Sequence, residues 1–506
     1  MSVVQSVDNM ALLPAYLAAG TVVLVLLADL LVGRAGATVA VACAGVVATG
    51  VGAVAVGAAG TRRTFCVGTD CSWVFDGRAA LVAGVFALLT LGVLGLSGPL
   101  LRGGPTPVGE YCFLLACSMT GGVVLGAAGD LITLIVALET LTLPLYVLVG
   151  LRRGSLASAE AAVTFFVVSV VATTVTLLGA ALLYAATGGL HLGRLGGLLA
   201  DAPDVPLVPA AVALVVLGLA FKVAAVPFHA WVPATYDGAP LPVAAYLSTA
   251  SKLGGVVALL AVVQRALPAE VTGPVLALLA VLTMTVGNLV ALRQRRTVRL
   301  LAWSSVAQAG YILAPLGVLA SAAGRADDVR AGAYAAAVAY AVFFVVVELA
   351  AFAALVALRP AGADGGAVAD LSGVARRRPW AGAAFALALV GLAGLPPGLA
   401  GLFAKVTVVR AVLDGGAGWL AVVVALNAVI GLAYYLRLAA TLYADPTPLP
   451  AGPTRAAEST AAGQPVAPGV LTGRVAWPVS VALAGATALA VVIGFAPQLV
   501  LDLASR

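Results

Sequence analysis

Residues 221–252 read FKVAAVPFHAWVPATYDGAPLPVAAYLSTASK, and this stretch decides how the rest of the chain is interpreted. It contains Lys222 and Lys252, two of the three lysines in a chain that has 27 lysine and arginine residues in all. The third, Lys405, also lies in an apolar run, GLFAKVTVV. An ammonium group can lose its proton when it is desolvated, whereas a guanidinium effectively cannot. The use of lysine only inside apolar segments therefore predicts a buried row of titratable groups that handles protons.

The composition places the chain in a membrane. Of its 506 residues, 62% are hydrophobic and only 9% are charged, whereas about one quarter of a soluble domain is charged. The net charge of +6 does not indicate nucleic-acid binding, because the arginines are scattered over loop ends, as membrane topology requires. No basic segment precedes the first apolar run, 12–32, so we interpret that run as a retained helix rather than a cleaved signal.

Hydropathy predicts an all-α polytopic membrane protein with about fourteen transmembrane helices, since only helices and closed barrels satisfy backbone polar groups in lipid. The predicted spans cover approximately 12–32, 36–58, 79–98, 109–128, 130–150, 158–186, 207–230, 240–264, 273–292, 299–320, 330–358, 380–411, 417–443 and 475–501.

The most basic loops predict the orientation. Arginines cluster at 293–299, at 376–378 and at 152–153, and with fourteen spans these loops fall on one side, which should be cytoplasmic. Both termini are then expected outside the cell. The polar loop FCVGTDCSW also falls outside, where Cys66 and Cys71 can form a disulfide.

Two of the predicted spans are interrupted. Span 7 contains Pro227 and Pro233 just after Lys222, and span 12 contains GLPPG at 394–398 just before Lys405. Matching breaks in two halves are typical of inverted-repeat transporters. Because the breaks are five spans apart, we predict two inverted repeats of about five helices, spans 4–8 and 9–13.

These features divide the chain into five predicted parts. They are three N-terminal helices (1–108), a first antiporter-like repeat (109–265), a second, inverted repeat (266–444), a flexible Pro-rich cytoplasmic linker (445–474) and a C-terminal helix (475–506).

Ionisable residues inside membrane helices are costly, and they normally pair with one another or line a proton path. Besides the lysines, the interior carboxylates are Glu139, Glu348 and Asp29. His229 lies seven residues after Lys222, so both would share a helix face if the helix continues through the prolines. Each charge has a structural alternative, a satisfied ion pair that only fixes helix packing.

Three blocks of sequence carry a family resemblance. They are the stretch 221–252, the stretch GNLVALRQRRTVRLLAWSSVAQAGY at 287–311, and the stretch DLSGVARRRPWAGAAFALALVGLAGLPPGLAGLFAK at 370–405. All three resemble subunit N of bacterial respiratory complex I, the proton-translocating NADH:quinone oxidoreductase. The resemblance runs from about span 4 to span 13, and the first three spans and the tail are only generically similar.

The resemblance implies roles for individual residues. Glu139 and Lys222 correspond to the carboxylate–lysine pair of the first half-channel, Lys252 to the connecting lysine and Lys405 to the terminal lysine of the second half-channel. His229 matches the family histidine after the broken helix.

Two residues depart from the family pattern. Gln308 stands where the family usually has histidine, which puts a titrating relay in doubt there. Glu348 is also not expected of the family, and it would supply either a relay carboxylate or an ion pair.

The resemblance also implies that the chain lies in the bacterial plasma membrane with other complex I membrane-arm subunits as partners. It implies no cofactor in this chain, with flavin and iron–sulfur clusters in partner subunits and contact with NADH and quinone only through the whole complex. Two alternatives remain open: a subunit of a multisubunit Na⁺/H⁺ antiporter, and a scaffold that completes a membrane arm without conducting protons.

Overall fold

A computed structural model of the chain describes residues 7–103, 106–152, 154–200, 206–360, 363–445 and 474–505. Within these ranges, twelve helices are long and apolar enough to cross a membrane. They are Asn9–Val32, Ala35–Ala58, Gly77–Leu96, Val108–Ala127, Leu131–Val149, Leu156–Thr187, Leu241–Arg265, Ala269–Ala291, Thr297–Ala320, Asp327–Leu358, Gly418–Tyr443 and Trp477–Phe495.

Two further apolar segments are broken, as the sequence predicts. In the first broken segment, residues 207–238, the helix Leu207–Val223 ends at Ala224, which adopts a left-handed conformation with φ 66°, and a second helix, Trp231–Gly238, follows. In the second broken segment, residues 379–414, the helix Pro379–Ala393 ends at Gly394 with φ 81°. The helix Leu399–Asp414 then follows. The total of fourteen spans stays a prediction, because each broken segment consists of two short helices instead of one long one.

The break corrects one expectation about His229. The helix that carries Lys222 ends at Val223, so Lys222 and His229 do not share a helix face. Proline removes a backbone donor and its ring clashes with the preceding turn, so the helix does not continue through Pro227. His229 lies in the loop between the two short helices, and its ring packs against Trp303 with ring centroids 4.9 Å apart.

The helix after the first broken segment is itself composite. It begins as the α-helix Leu241–Tyr246, continues as one π-helical stretch, Leu247–Ser251, and returns to α-helix at Lys252–Arg265. Single π-helical turns within α-helices are often found at functional sites. The hydropathy pattern gave no sign of this turn, which immediately precedes Lys252.

The longest buried element is the helix Asp327–Leu358, which lies inside the bundle, while outer helices expose aliphatic side chains such as Leu30 and Leu31. Small residues let helices approach closely, as is usual in membranes. A Cβ atom added to Gly255 would lie only 2.5 Å from the carbonyl group of Lys222. The backbone around Lys222 is therefore held directly against the following helix.

A polar loop that was not expected to contain strands forms a β-hairpin. Strands Arg62–Val67 and Asp70–Phe75 pair antiparallel, with Cys66 opposite Cys71. These two cysteines form a disulfide in the structure.

Several shorter elements complete the described chain. Short helices that hydropathy did not predict are Gly98–Gly103, Leu192–Ala200, Val374–Arg377 and Gln498–Ser505. The last predicted span, 475–501, is shorter than expected, because its helix ends at Phe495 before Pro497. The predicted linker 445–474 lies outside the described residues, apart from Asp445 and Arg474.

An ion-pair cluster joins the first broken segment to two later loops at the face that carries the basic loops. Arg296 pairs with Asp237, at the end of the first broken segment, and with Asp364, in both cases with a nitrogen–oxygen distance of 2.8 Å. Burial alone would raise the pKa of Asp364, but the hydrogen bond and positive charge of Arg296 outweigh burial and hold this pKa below its ordinary value. Asp364 therefore stays charged, and the cluster stays intact, at neutral pH.

The close approach at Gly255 leads to a prediction about stability. We expect Gly255→Ala to lower the free energy of unfolding by about 1–3 kcal/mol, because the added methyl group meets backbone and not a flexible side chain. The measurement is the thermal stability of the detergent-solubilised protein. Gly20→Ala is the control, since nothing lies within 4 Å of a Cβ atom there. Equal stability of the two variants would contradict the prediction.

Candidate functional site

Lys222 lies in the last turn of the helix Leu207–Val223 and forms a buried ion pair with Glu139 from the helix Leu131–Val149. Its Nζ atom lies 2.7 Å from Oε1 of Glu139. Only 6% of the Lys222 side chain and 19% of the Glu139 side chain are exposed. The expected carboxylate–lysine pair is thus present as a direct contact between two helices that are distant in sequence.

Hydroxyl groups surround this pair. Nζ of Lys222 also donates to Ser169 Oγ at 2.8 Å and to Thr142 Oγ1 at 3.3 Å, and Thr173 donates to Oε1 of Glu139 at 2.5 Å. Ser169 and Thr173 lie one turn apart on the helix Leu156–Thr187. Sequence reasoning missed both residues, although a serine and a threonine four apart in an apolar helix are a usable signal of a polar stripe.

Lys252 follows the π-helical turn and is 2% exposed. Its Nζ atom donates to the carbonyl oxygen of Ser305 at 2.5 Å and to the hydroxyl oxygen of Ser305 at 2.6 Å. The same atom lies 5.8 Å from the ring centroid of Phe344, which is one turn before Glu348 on the helix Asp327–Leu358. Lys252 therefore faces the part of that helix that carries Glu348.

Glu348 is fully buried, and neither of its carboxylate oxygens accepts a hydrogen bond from the described residues. Lys252 supplies a positive charge in this region, since its Nζ atom lies 5.8 Å from the ring centroid of Phe344, one turn before Glu348. A buried carboxylate without hydrogen bonds is costly, and a nearby opposite charge offsets part of that cost. Glu348 thus belongs to the central part of the site, beside Lys252.

Lys405 lies in the second broken segment and is stabilised differently from Lys222. Its Nζ atom donates to the carbonyl oxygens of Leu392 at 3.1 Å and Ala393 at 2.5 Å, and it lies 5.2 Å from the ring centroid of Tyr311. Leu392 and Ala393 end the helix Pro379–Ala393, whose free carbonyl groups carry partial negative charge. Among the described residues, no carboxylate forms an ion pair with Lys405.

Gln308 connects Lys405 with the centre of the bundle. Its Nε2 atom donates to the carbonyl oxygen of Leu392 at 3.1 Å, which Lys405 shares, and to Tyr435 at 3.0 Å. Tyr340 donates to Oε1 of Gln308 at 2.5 Å. Tyr435 in turn bonds to Ser304 at 2.5 Å, next to the serine that binds Lys252. The two lysines are therefore joined by a nearly continuous polar chain.

The structure does not bring every candidate together. No hydrogen bond in the described chain joins His229 to Lys222, Lys252 or Lys405, and its ring packs against Trp303 instead. Asp29 accepts a bond of 3.4 Å from Thr38 instead of approaching a lysine. Tyr340 and Tyr435 were missed by sequence reasoning, because tyrosine in an apolar helix is usually a packing residue.

No group of three or more histidine, cysteine, aspartate or glutamate side chains suited to holding a metal ion occurs in the part of the chain that the structure describes. Cys43, Cys112 and Cys117 are free thiols within helices.

Comparison with known proteins identifies the family. Residues 128–431 match the membrane domain family described as NADH:quinone oxidoreductase/Mrp antiporter. NADH-quinone oxidoreductase subunit N of Salinispora tropica is 76% identical over the whole of both chains. NADH-quinone oxidoreductase subunit N 2 of Streptomyces griseus is 44% identical over 100% of this chain and 94% of its own.

Solved structures share the fold. A chain of respiratory complex I from Thermus thermophilus matches with a TM-score of 0.76 and 30% identity, over 97% of this chain and 99% of that one. A chain of the Mrp complex from Dietzia sp. matches with a TM-score of 0.82 at 23% identity, over 98% of this chain and 96% of that one, which shows a common fold alone. With full-length identity of 76% and a matching membrane fold, the chain belongs to the NADH-quinone oxidoreductase subunit N family.

Proposed function

We propose that this chain translocates protons across the bacterial plasma membrane as a membrane-arm subunit of NADH:quinone oxidoreductase. Electron transfer from NADH to quinone in other subunits drives this movement. The relatives of 76% and 44% identity and the fold shared with a chain of respiratory complex I support the proposal. The single observation that carries it is the buried contact between Lys222 and Glu139.

Separating the Lys222–Glu139 pair changes its electrostatic energy by about as much as moving a proton against the membrane potential requires. At an effective dielectric constant of about 20, increasing a charge separation from about 3 Å to about 6 Å costs about 3 kcal/mol. Moving one charge against 100 mV costs about 2.3 kcal/mol. A shift of a few ångströms between the two helices would therefore suffice to make Lys222 release its proton.

The other lysines continue the path. Lys252, held by Ser305 and facing Glu348, takes the central position, and Lys405 takes the terminal position at the broken helix. Gln308 cannot titrate, so in our proposal it transmits hydrogen bonding between Tyr435 and the Leu392 carbonyl, while Glu348 supplies the missing titratable group. His229 serves as a side branch of the path and not as the neighbour of Lys222.

We further propose that both termini lie outside the cell and that 109–265 and 266–444 act as two inverted half-channels. The two breaks support this, because each places a lysine beside the end of a short helix. In this proposal the chain holds no redox centre, and flavin, iron–sulfur clusters, NADH and quinone are bound by other subunits.

If Lys222 must release its proton during pumping, Lys222→Arg should not support pumping. Arginine keeps the positive charge but does not release its proton. We expect proton pumping coupled to NADH oxidation to fall by about tenfold or more, as for Lys222→Ala, because a positioned proton-transferring group is usually worth at least that much. The measurement is proton uptake by membrane vesicles, with assembly of the complex checked on native gels.

Arg410→Lys is the matched control, since Arg410 is exposed on the helix that carries Lys405. Normal pumping by an assembled Lys222→Arg complex would mean that the role is only electrostatic. Unchanged proton stoichiometry in Lys222→Ala and Lys405→Ala complexes would support the non-conducting scaffold. Loss of pumping when K⁺ replaces Na⁺ in the buffer would favour the antiporter alternative.

The role of Glu348 is tested by Glu348→Gln. This change removes the charge with little change of volume, so assembly should persist while pumping falls by about tenfold or more. The control is Glu110→Gln, because Glu110 is exposed in the first turn of its helix. Pumping at the normal rate by the Glu348→Gln complex would reduce Glu348 to a packing residue.

Gln308 gives a further prediction about the polar chain. Gln308→Leu removes the bonds to Leu392, Tyr340 and Tyr435 and should lower pumping by about tenfold. Gln308→His restores a titratable group of similar size and should keep at least half of the pumping rate. A higher pumping rate for Gln308→Leu than for Gln308→His would show that hydrogen bonding at this position does not matter.

A further inference from the structure

A cavity of about 360 Å³ lies at the face of the bundle that carries the basic loops. Four transmembrane helices contribute residues at or near their ends to its lining: Gly77–Leu96, Leu241–Arg265, Asp327–Leu358 and Trp477–Phe495. Arg152 and Arg378 come from the segments that follow the helix Leu131–Val149 and precede the helix Pro379–Ala393. A volume of this size is typical of ligand pockets. The cavity is separate from the three buried lysines, none of which lines it.

Four arginines line the cavity: Arg152, Arg359, Arg378 and Arg474. Among the described residues, no acidic side chain lines it. Arg359 is partly compensated from outside, with nitrogen–oxygen distances of 3.6 Å to both Asp364 and Asp370. Asp237 and Asp364 are already paired with Arg296, so arginines outnumber carboxylates among the described residues at this end of the bundle, and the wall of the cavity is positive.

The rest of the lining is mainly aliphatic. Leu96, Leu100, Leu241, Val356 and Val479 lie at or near the ends of their helices and form apolar wall. The cavity thus has a positive rim beside an apolar wall, at the level where the helices end. This combination complements a molecule with an anionic head and hydrocarbon chains. A soluble anion would gain nothing from the apolar side.

We infer that this arginine-lined cavity binds the phosphate-bearing headgroup of an anionic phospholipid, whose acyl chains follow the aliphatic wall into the bilayer. Guanidinium groups bind phosphate oxygens in bidentate geometry, which lysine does not reproduce. Basic pockets between transmembrane helices at the cytoplasmic side are suited to anionic headgroups, since that leaflet is negatively charged. The bound lipid would join the last helix, Trp477–Phe495, to the central helix Asp327–Leu358.

The test uses the purified whole complex and a phosphatidylglycerol that carries a photoreactive group near its phosphate. After irradiation, peptide mapping should locate label on residues 96–100 and 474–479. Arg474→Gln should lower labelling about fivefold and Arg152→Gln/Arg474→Gln about 25-fold, as expected for the loss of one and two charge contacts at a membrane surface. Arg474 is exposed, so the single variant should fold even if the double variant does not.

Arg377→Gln is the matched control, because Arg377 is exposed on the same face and does not line the cavity. Labelling in that variant should equal the wild-type level, and excess phosphatidylcholine or inorganic phosphate should not compete. Unchanged labelling in Arg474→Gln would overturn the proposal. Equal competition by phosphatidylcholine would instead indicate an unselective lipid groove, and competition by inorganic phosphate a soluble-anion site, and either result would also overturn it.

Discussion

Three ammonium groups are buried inside one membrane-embedded bundle, and the structure around them depends on how each charge is compensated. Lys222 has a carboxylate, Lys252 has the carbonyl and hydroxyl oxygens of one serine, and Lys405 has two carbonyl oxygens at a helix end. A buried charge without such partners would cost several kcal/mol. The three arrangements differ in strength, from a full ion pair at Lys222 to neutral dipoles at Lys405. In our proposal this difference would give the three sites different proton affinities.

The broken helices make this compensation possible. A continuous helix uses its own carbonyl groups for internal hydrogen bonds and has none left for a neighbouring cation. The break after Ala393 frees the Leu392 carbonyl group that Lys405 and Gln308 share, and the Ala393 carbonyl group that Lys405 also binds. The π-helical turn before Lys252 has a related effect, because it changes the direction in which the following residues face. Irregular backbone therefore lies beside the buried lysines inside the bundle, where other helices cover it, because such backbone is not tolerated in contact with lipid.

The hydrogen-bonded chain from Ser304 through Tyr435 and Gln308 to the Leu392 carbonyl explains how a glutamine can stand where a titratable residue is expected. Glutamine is both donor and acceptor, so it joins groups on both sides without changing its charge. Glu348 lies on the helix that Lys252 faces, so a titratable group is also present near the centre of the bundle.

The sequence by itself determined the membrane class, the approximate limits of most helices, the two breaks and the identity of the buried charges. Each of these follows from local properties: long apolar runs, proline or glycine within them, and rare charges in apolar surroundings. Only the tertiary structure decided which groups meet. Ser169, Thr173, Tyr340 and Tyr435 come from helices far from the lysines in sequence, and periodicity does not predict such contacts. The expectation that Lys222 and His229 share a helix face was wrong for a related reason. The helix ends at Val223, so residue spacing does not predict the direction of the chain beyond it.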